Sequence, residues 1–164
     1  MKRVFALAVC AVLLFSSASA DGITIPKFSN HLIKYNTLAK GVGAPELKES
    51  SAVDQDGMKW FYLSNLIILF ELDSGEEIKT IGIRTLSSNY DTDVFLKTCA
   101  CAINLLSGMD FDAYGSLLYQ YIQTTTGQKE ALPGIVGDDT FRMSVLDDGS
   151  LMFIFNNNDR KYWF

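Results

Sequence analysis

The sequence predicts an α+β domain: an antiparallel sheet of about five strands packed with three helices, in the order α-βββ-αα-ββ. Three observations carry this. Apolar residues recur at helical spacing in three separate segments, three Asp/Gly turns separate runs rich in apolar or β-branched residues, and the strand runs come in blocks separated by a pair of helices.

The first helix is expected over residues 26–40. Pro26 suits a first helical turn, Phe28, Leu32, Tyr35 and Ala39 recur at i, i+4, i+7 and i+11, and Gly41 and Gly43 supply stops. The turns Asp54-Gln55-Asp56-Gly57, Asp73-Ser74-Gly75 and Asp147-Asp148-Gly149 each read as a hairpin. They predict strands near 46–53, 58–72, 76–85, 139–146 and 150–156. Between the third and fourth strands the period changes. Asp91 or Thr92 can cap a helix running to Ser107 with Gly108 just beyond, and Asp110 can cap another whose stripe is Phe111, Tyr114, Leu118 and Ile122 before Gly127. This order of elements, with the small size and the acidity, resembles the type III secretion chaperone-like fold at the level of topology; no residue motif enters the resemblance.

The N-terminus has the three parts of a secretory signal: the cations Lys2 and Arg3, an apolar run from Val4 to Phe15, and the small residues Ala18-Ser19-Ala20. Twelve apolar residues fall short of the roughly 20 that cross a bilayer as a helix, so residues 1–20 read as a cleaved signal peptide and 21–164 as the mature domain. Cys10 lies inside the apolar run behind Val9, not at its end after a small residue, which argues against lipidation. The expected location is periplasmic or secreted, with no integral membrane segment after cleavage.

Cleavage after Ala20 leaves 144 residues, enough for a single domain burying about two thirds of its unfolded surface. No repeat, low-complexity run or Pro/Gly/Ser linker divides them. With Lys2 and Arg3 gone, twelve cations face nineteen anions, a formal charge of −7 that argues against nucleic acid or anionic lipid as a partner.

Two cysteines of the mature chain, Cys99 and Cys101, stand one residue apart in the predicted second helix. On a helical wheel Phe95, Cys99, Ala102 and Leu106 share the core side, whereas Cys101 is turned about 200° away, at the edge of the apolar arc. Side chains pointing so differently do not close a disulfide or share a metal, and the spacing fits neither C-x-x-C nor a zinc motif. Both read as small buried hydrophobes.

No catalytic residue, metal site or cofactor emerges. His31 is the single histidine and lies on the flank of the first helix; no G-x-S-x-G, P-loop, G-x-G-x-x-G or H-E-x-x-H is present. The carboxylate pairs Asp54/Asp56, Asp91/Asp93, Asp110/Asp112 and Asp138/Asp139 sit at turns or helix starts, where capping already favours Asp. Asn89-x-Asp91-x-Asp93 begins like a calcium loop, but Val94 stands where Gly is needed and no Glu closes it. The C-terminal Tyr162-Trp163-Phe164 does not extend into an outer-membrane β-signal: counting back in twos gives Arg160, Asn158 and Asn156.

The conspicuous feature is the 58–72 segment, apolar on both faces. Read as one strand, it places Tyr62, Leu66, Ile68, Phe70 and Leu72 on one side and Phe61, Leu63, Ile67 and Leu69 on the other. The second set, with Lys59, Asn65 and Glu71 as a polar rim, is the expected partner-binding face, because contiguous exposed apolar surface marks contact sites. The function expected is that of an exported, non-enzymatic domain binding another protein or a second copy of itself, as an inhibitor, immunity protein or chaperone does. The alternatives are a carrier of an apolar small ligand and a hydrolase with an unrecognised carboxylate site.

Overall fold

A computed structural model describes residues 27–107, 113–126, 134–136 and 139–156. The expected signal peptide over residues 1–20, the expected cap at Asp110, Phe111 and the C-terminal aromatic residues lie outside them. The described residues form helices α1 (Lys27–Val42), α2 (Thr92–Ser107) and α3 (Ala113–Thr125) and strands β1 (Val53–Gln55), β2 (Met58–Tyr62), β3 (Leu66–Leu72), β4 (Ile78–Thr85), β5 (Gly134–Val136), β6 (Asp139–Val145) and β7 (Leu151–Asn156). The α+β class and the antiparallel sheet stand. The strand count and the order do not: there are seven strands, paired β1-β2-β3-β4-β7-β6-β5, and four of them precede the helix pair. The likeness in element order to the type III secretion chaperone-like fold goes with them.

Two corrections explain the count. The segment expected as one strand over 58–72 is a hairpin, closed where the Leu63 amide donates to the Leu66 carbonyl at 2.8 Å, with Phe61 opposite Ile68. Ser64-Asn65 supplies the turn. The strand expected at 46–53 starts only at Val53, because Asn36 on α1 captures the Leu47 backbone from both sides, its Nδ2 donating to the Leu47 carbonyl at 2.7 Å and its Oδ1 accepting from the Leu47 amide at 2.7 Å. A backbone satisfied in this way has nothing to offer a neighbouring strand. The short edge strand β5 has no signal in the sequence.

The local rules otherwise hold. Gly43 ends α1 at a φ of 75°, and the Ala44 amide donates to the Ala39 carbonyl at 2.9 Å, a Schellman closure. Asp56 and Gly57, at φ 54° and 77°, make the two-residue turn between β1 and β2 whose twist suits a tight hairpin.

All three helices pack on one face of the sheet. Phe28 and Tyr35 of α1 meet Phe61 and Phe70, with Phe70 at the centre: its ring lies 5.5 Å from Phe28, 5.7 Å from Phe61 and 6.2 Å from Tyr35. The predicted α1 stripe of Phe28, Leu32, Tyr35 and Ala39 is the buried one. Helix α2 is flanked by α1 and α3 and rests on β4 and β7, so it is buried almost all round, and Cys101, expected at the edge of its arc, is fully enclosed together with Cys99. Both thiols are free. Burial pushes their pKa values up, that of Cys101 to about 11. Neither is therefore expected to react with iodoacetamide in the folded protein, and both should react in denaturant; intact mass after alkylation checks this, and rapid native labelling would contradict it.

Helix α3 departs from its predicted stripe. Leu117, Gln120 and Thr124 face inward, whereas Leu118 and Ile122 are exposed with Tyr119. The helix packs against α2 and β6, which leaves Leu118, Tyr119 and Ile122 exposed.

Candidate interaction surface on the open face of the sheet

In a pleated sheet, side chains alternate between faces, and the strand register assigns them. Phe61, Ile68, Ile83, Phe153 and Met143 face the helices in one cross-strand row. On the opposite face one row runs Val53, Trp60, Leu69, Gly82, Ile154 and Arg142, and a second runs Tyr62, Ile67, Arg84, Met152 and Ser144. The hydrophobic cluster beneath the helices contains none of these residues. Among the described residues, no helix covers this face.

The four residues expected as the partner site are thus divided. Phe61 is 1% exposed in the helical core, and Leu63 packs against that core. Ile67 and Leu69 lie on the open face. The turn at Ser64-Asn65 breaks the strict alternation on which the expected set was based, so Tyr62 and Trp60 take the places given to Phe61 and Leu63. Of the expected polar rim only Glu71 belongs here, where it accepts from the Thr80 hydroxyl at 2.8 Å. Lys59 points to the helical side, 2.7 Å from Asp54 and over the Phe28 ring at 5.2 Å.

The open face has two parts. At the β1–β3 end is an accessible corner: Tyr62 is 59% exposed and Val53 48%, with Ile67 and Trp60 half-buried between them. The Trp60 and Tyr62 rings stack at 6.3 Å with 13° between their planes. Stacking fixes two large amphipathic side chains in one orientation before any contact is made. The indole Nε1–H of Trp60 is buried without an acceptor among the described residues. The centre of the face, around Leu69 and Ile154, is enclosed.

Arg84 crosses the second row to Asp148, with 2.9 Å between Nη2 and Oδ2. The Ser150 hydroxyl and amide, which donate to Asp148, hold its carboxyl below the usual range, and Arg84 adds to this. A carboxyl with a lowered folded-state pKa contributes stability above its ordinary value and loses that contribution as pH falls through the folded-state value. Asp148 should therefore titrate below the ordinary carboxyl value by NMR, with Ser150→Ala and Arg84→Ala each raising the midpoint. Equal midpoints in all three proteins would contradict the assignment.

Of the carboxylates that suggested acid/base chemistry, Asp54, Asp91 and Asp93 have structural partners, and Asp56 holds a turn position at positive φ. Asp91 accepts from the Val94 amide at 3.1 Å as a helix cap, Asp93 pairs with Lys97 at 2.6 Å, and Asp54 pairs with Lys59. His31 Nε2 lies 2.9 Å from Glu77 on the surface, beside Lys27. Among the described residues no group of three His, Cys, Asp or Glu side chains is placed to hold a metal ion, and no helix is long and apolar enough to cross a membrane. The clefts formed by described residues include one of 240 Å³ beside Asp54 and Asp73 and one of 220 Å³ beside Tyr90 and Asn65. Both fall below the roughly 300–1,000 Å³ of small-molecule sites. Compared with protein-family models, curated proteins and solved structures, the chain gives no match.

Proposed function

We propose that the protein is an exported, non-enzymatic binding domain, of the inhibitor, immunity or chaperone-like kind, that engages another protein through the Trp60–Tyr62 corner of its open sheet face, with Ile67 and Leu69 as the inner border. The observation that carries the reading is the stacked, part-exposed aromatic pair with Val53 beside it. Trp and Tyr are the residues most often found to dominate protein–protein binding energy, and a rigid pair loses little side-chain entropy on contact. The acidic mature chain favours a partner with a neutral or basic contact surface over nucleic acid.

Crosslinking in the native compartment followed by affinity capture tests this: one specific protein should be enriched with the intact corner and lost when the corner is altered. A native mass spectrum separates the carrier alternative, for which the purified protein would retain a small apolar ligand; the binding domain is expected as a clean apo species. Periplasmic or secreted placement follows from the signal-like N-terminus. The exported protein should have the intact mass of residues 21–164, cut between Ala20 and Asp21, and a species retaining residues 1–20 would contradict export by cleavage.

A further inference from the structure

Helix α3 turns polar residues inward and apolar ones outward. Gln120 and Thr124 are buried beside Leu117, whereas Leu118 is 40% exposed, Ile122 50% and Tyr119 62%. An ordinary surface helix does the reverse, burying its apolar stripe and giving its polar residues to water. The exposed residues Gly115, Leu118, Ile122 and Thr125 recur at steps of three, four and three, the spacing by which one helix meets another along a seam. Leu118 and Ile122 hold the middle of that seam, with Tyr119 on its flank.

Charge decides what the seam takes. None of the 13 residues of α3 is charged, whereas α1 carries Lys27, Lys34 and Lys40, and α2 carries Asp93 and Lys97. The chain has 19 acidic side chains against 14 basic ones. An unlike partner of such a chain is drawn in by its charges, and two copies are driven apart by them. A helix surface with no charge of either sign has nothing to steer a basic partner, and it lets two copies meet without setting like charges against each other.

We propose that α3 is a self-association seam, on which the α3 of a second copy packs antiparallel about a two-fold axis. Such an isologous contact uses the same residues from both copies. With the axis at the middle of the seam, Leu118 meets Ile122 of the second copy and Gly115 meets its Thr125. A Cβ built on Gly115 has nothing within 4 Å, so the space beside it admits a Thr side chain at the roughly 8–10 Å separation of packed helices. Antiparallel pairing also brings opposite ends of the two helix dipoles together. The seam is on the helical side of the sheet, where α3 packs on α2 and β6, and the Trp60–Tyr62 corner is on the other face. A dimer formed through α3 leaves that corner accessible in both copies, and the inference stands whether or not the corner binds a partner.

Sedimentation equilibrium of the exported protein at micromolar concentration tests it. The unaltered chain should be a dimer, and Ile122→Glu and Leu118→Lys should each lose the dimer. An equimolar mixture of these two variants should recover it, because the carboxylate introduced at position 122 then faces the ammonium introduced at position 118 while the second Leu118–Ile122 contact is kept. Tyr62→Ala should leave the dimer intact. Circular dichroism establishes that the variants are folded, and where either is not, loss of the dimer in Tyr119→Glu takes its place. A monomeric unaltered chain would overturn the proposal. So would a dimer that survives the α3 substitutions or is lost with Tyr62→Ala, either of which puts the contact elsewhere, or a mixture that stays monomeric, which excludes the antiparallel pairing.

Discussion

Tyr62→Ala is expected to weaken partner binding by about 2 kcal/mol or more, on the order of 30-fold in Kd, while leaving the fold intact. The two effects separate because Tyr62 is 59% exposed and its ring contributes little to the core, whereas in the proposed site its stacking on Trp60 would present both rings to the partner. Trp60→Ala should weaken binding comparably at some cost in stability, since the indole is half-buried and shields Ile67 and Leu69. Adding Trp60→Ala to Tyr62→Ala is expected to cost less than the sum of the single effects, because each ring holds the other in place. Ile67→Ser is the third informative change. Leu69→Ser is not, because a side chain 2% exposed carries a cavity cost whatever it binds. The measurement is affinity of each purified variant for the captured partner alongside a denaturant midpoint; full binding by the Tyr62→Ala protein would remove the corner from the site.

Phe70→Ala should be the most damaging single substitution in the α1–β2–β3 region, lowering stability by about 3–5 kcal/mol. Phe70 meets Phe28, Tyr35 and Phe61, so its removal opens a cavity among rings held by two different elements, α1 and β2, that cannot all close in. Against the roughly 5–15 kcal/mol of an ordinary domain, a loss of that size leaves a marginal or unfolded protein. Phe70→Leu, which keeps most of the volume, should cost clearly less. Urea unfolding followed by circular dichroism gives the values, and a loss below about 1 kcal/mol for Phe70→Ala would show that the cluster does not anchor α1 to the sheet.

The helices and most hairpins were legible because their signals are local. The spacing of Phe28, Leu32, Tyr35 and Ala39 needs only the helical period, and Asp56-Gly57 needs only a turn with positive φ at both residues. The open face was half legible. Its existence followed from a segment apolar on both sides, but its membership depended on alternation running unbroken through residues 62–66, and Ser64-Asn65, without Gly or Pro, is a weak turn signal inside an apolar run. A single turn missed there exchanges Tyr62 for Phe61 between faces, as a one-residue slip does in any strand. Strand 46–53 failed for a different reason: the contact that displaces it comes from Asn36, ten residues before Glu46, and no local pattern announces a side chain bonded to a distant backbone. The inward face of α3 likewise depends on which neighbours it meets, not on its own apolar period.

The central claim, that the accessible corner of the open face is where a partner docks, is tested most directly by placing a photo-crosslinking residue at position 62 and, in a second protein, at the exposed Lys34 of α1 on the helical side. Irradiated in the native compartment, the position-62 protein should give one discrete heteromeric adduct by mass spectrometry and the position-34 protein none. An adduct from position 34 without one from position 62 would contradict the account.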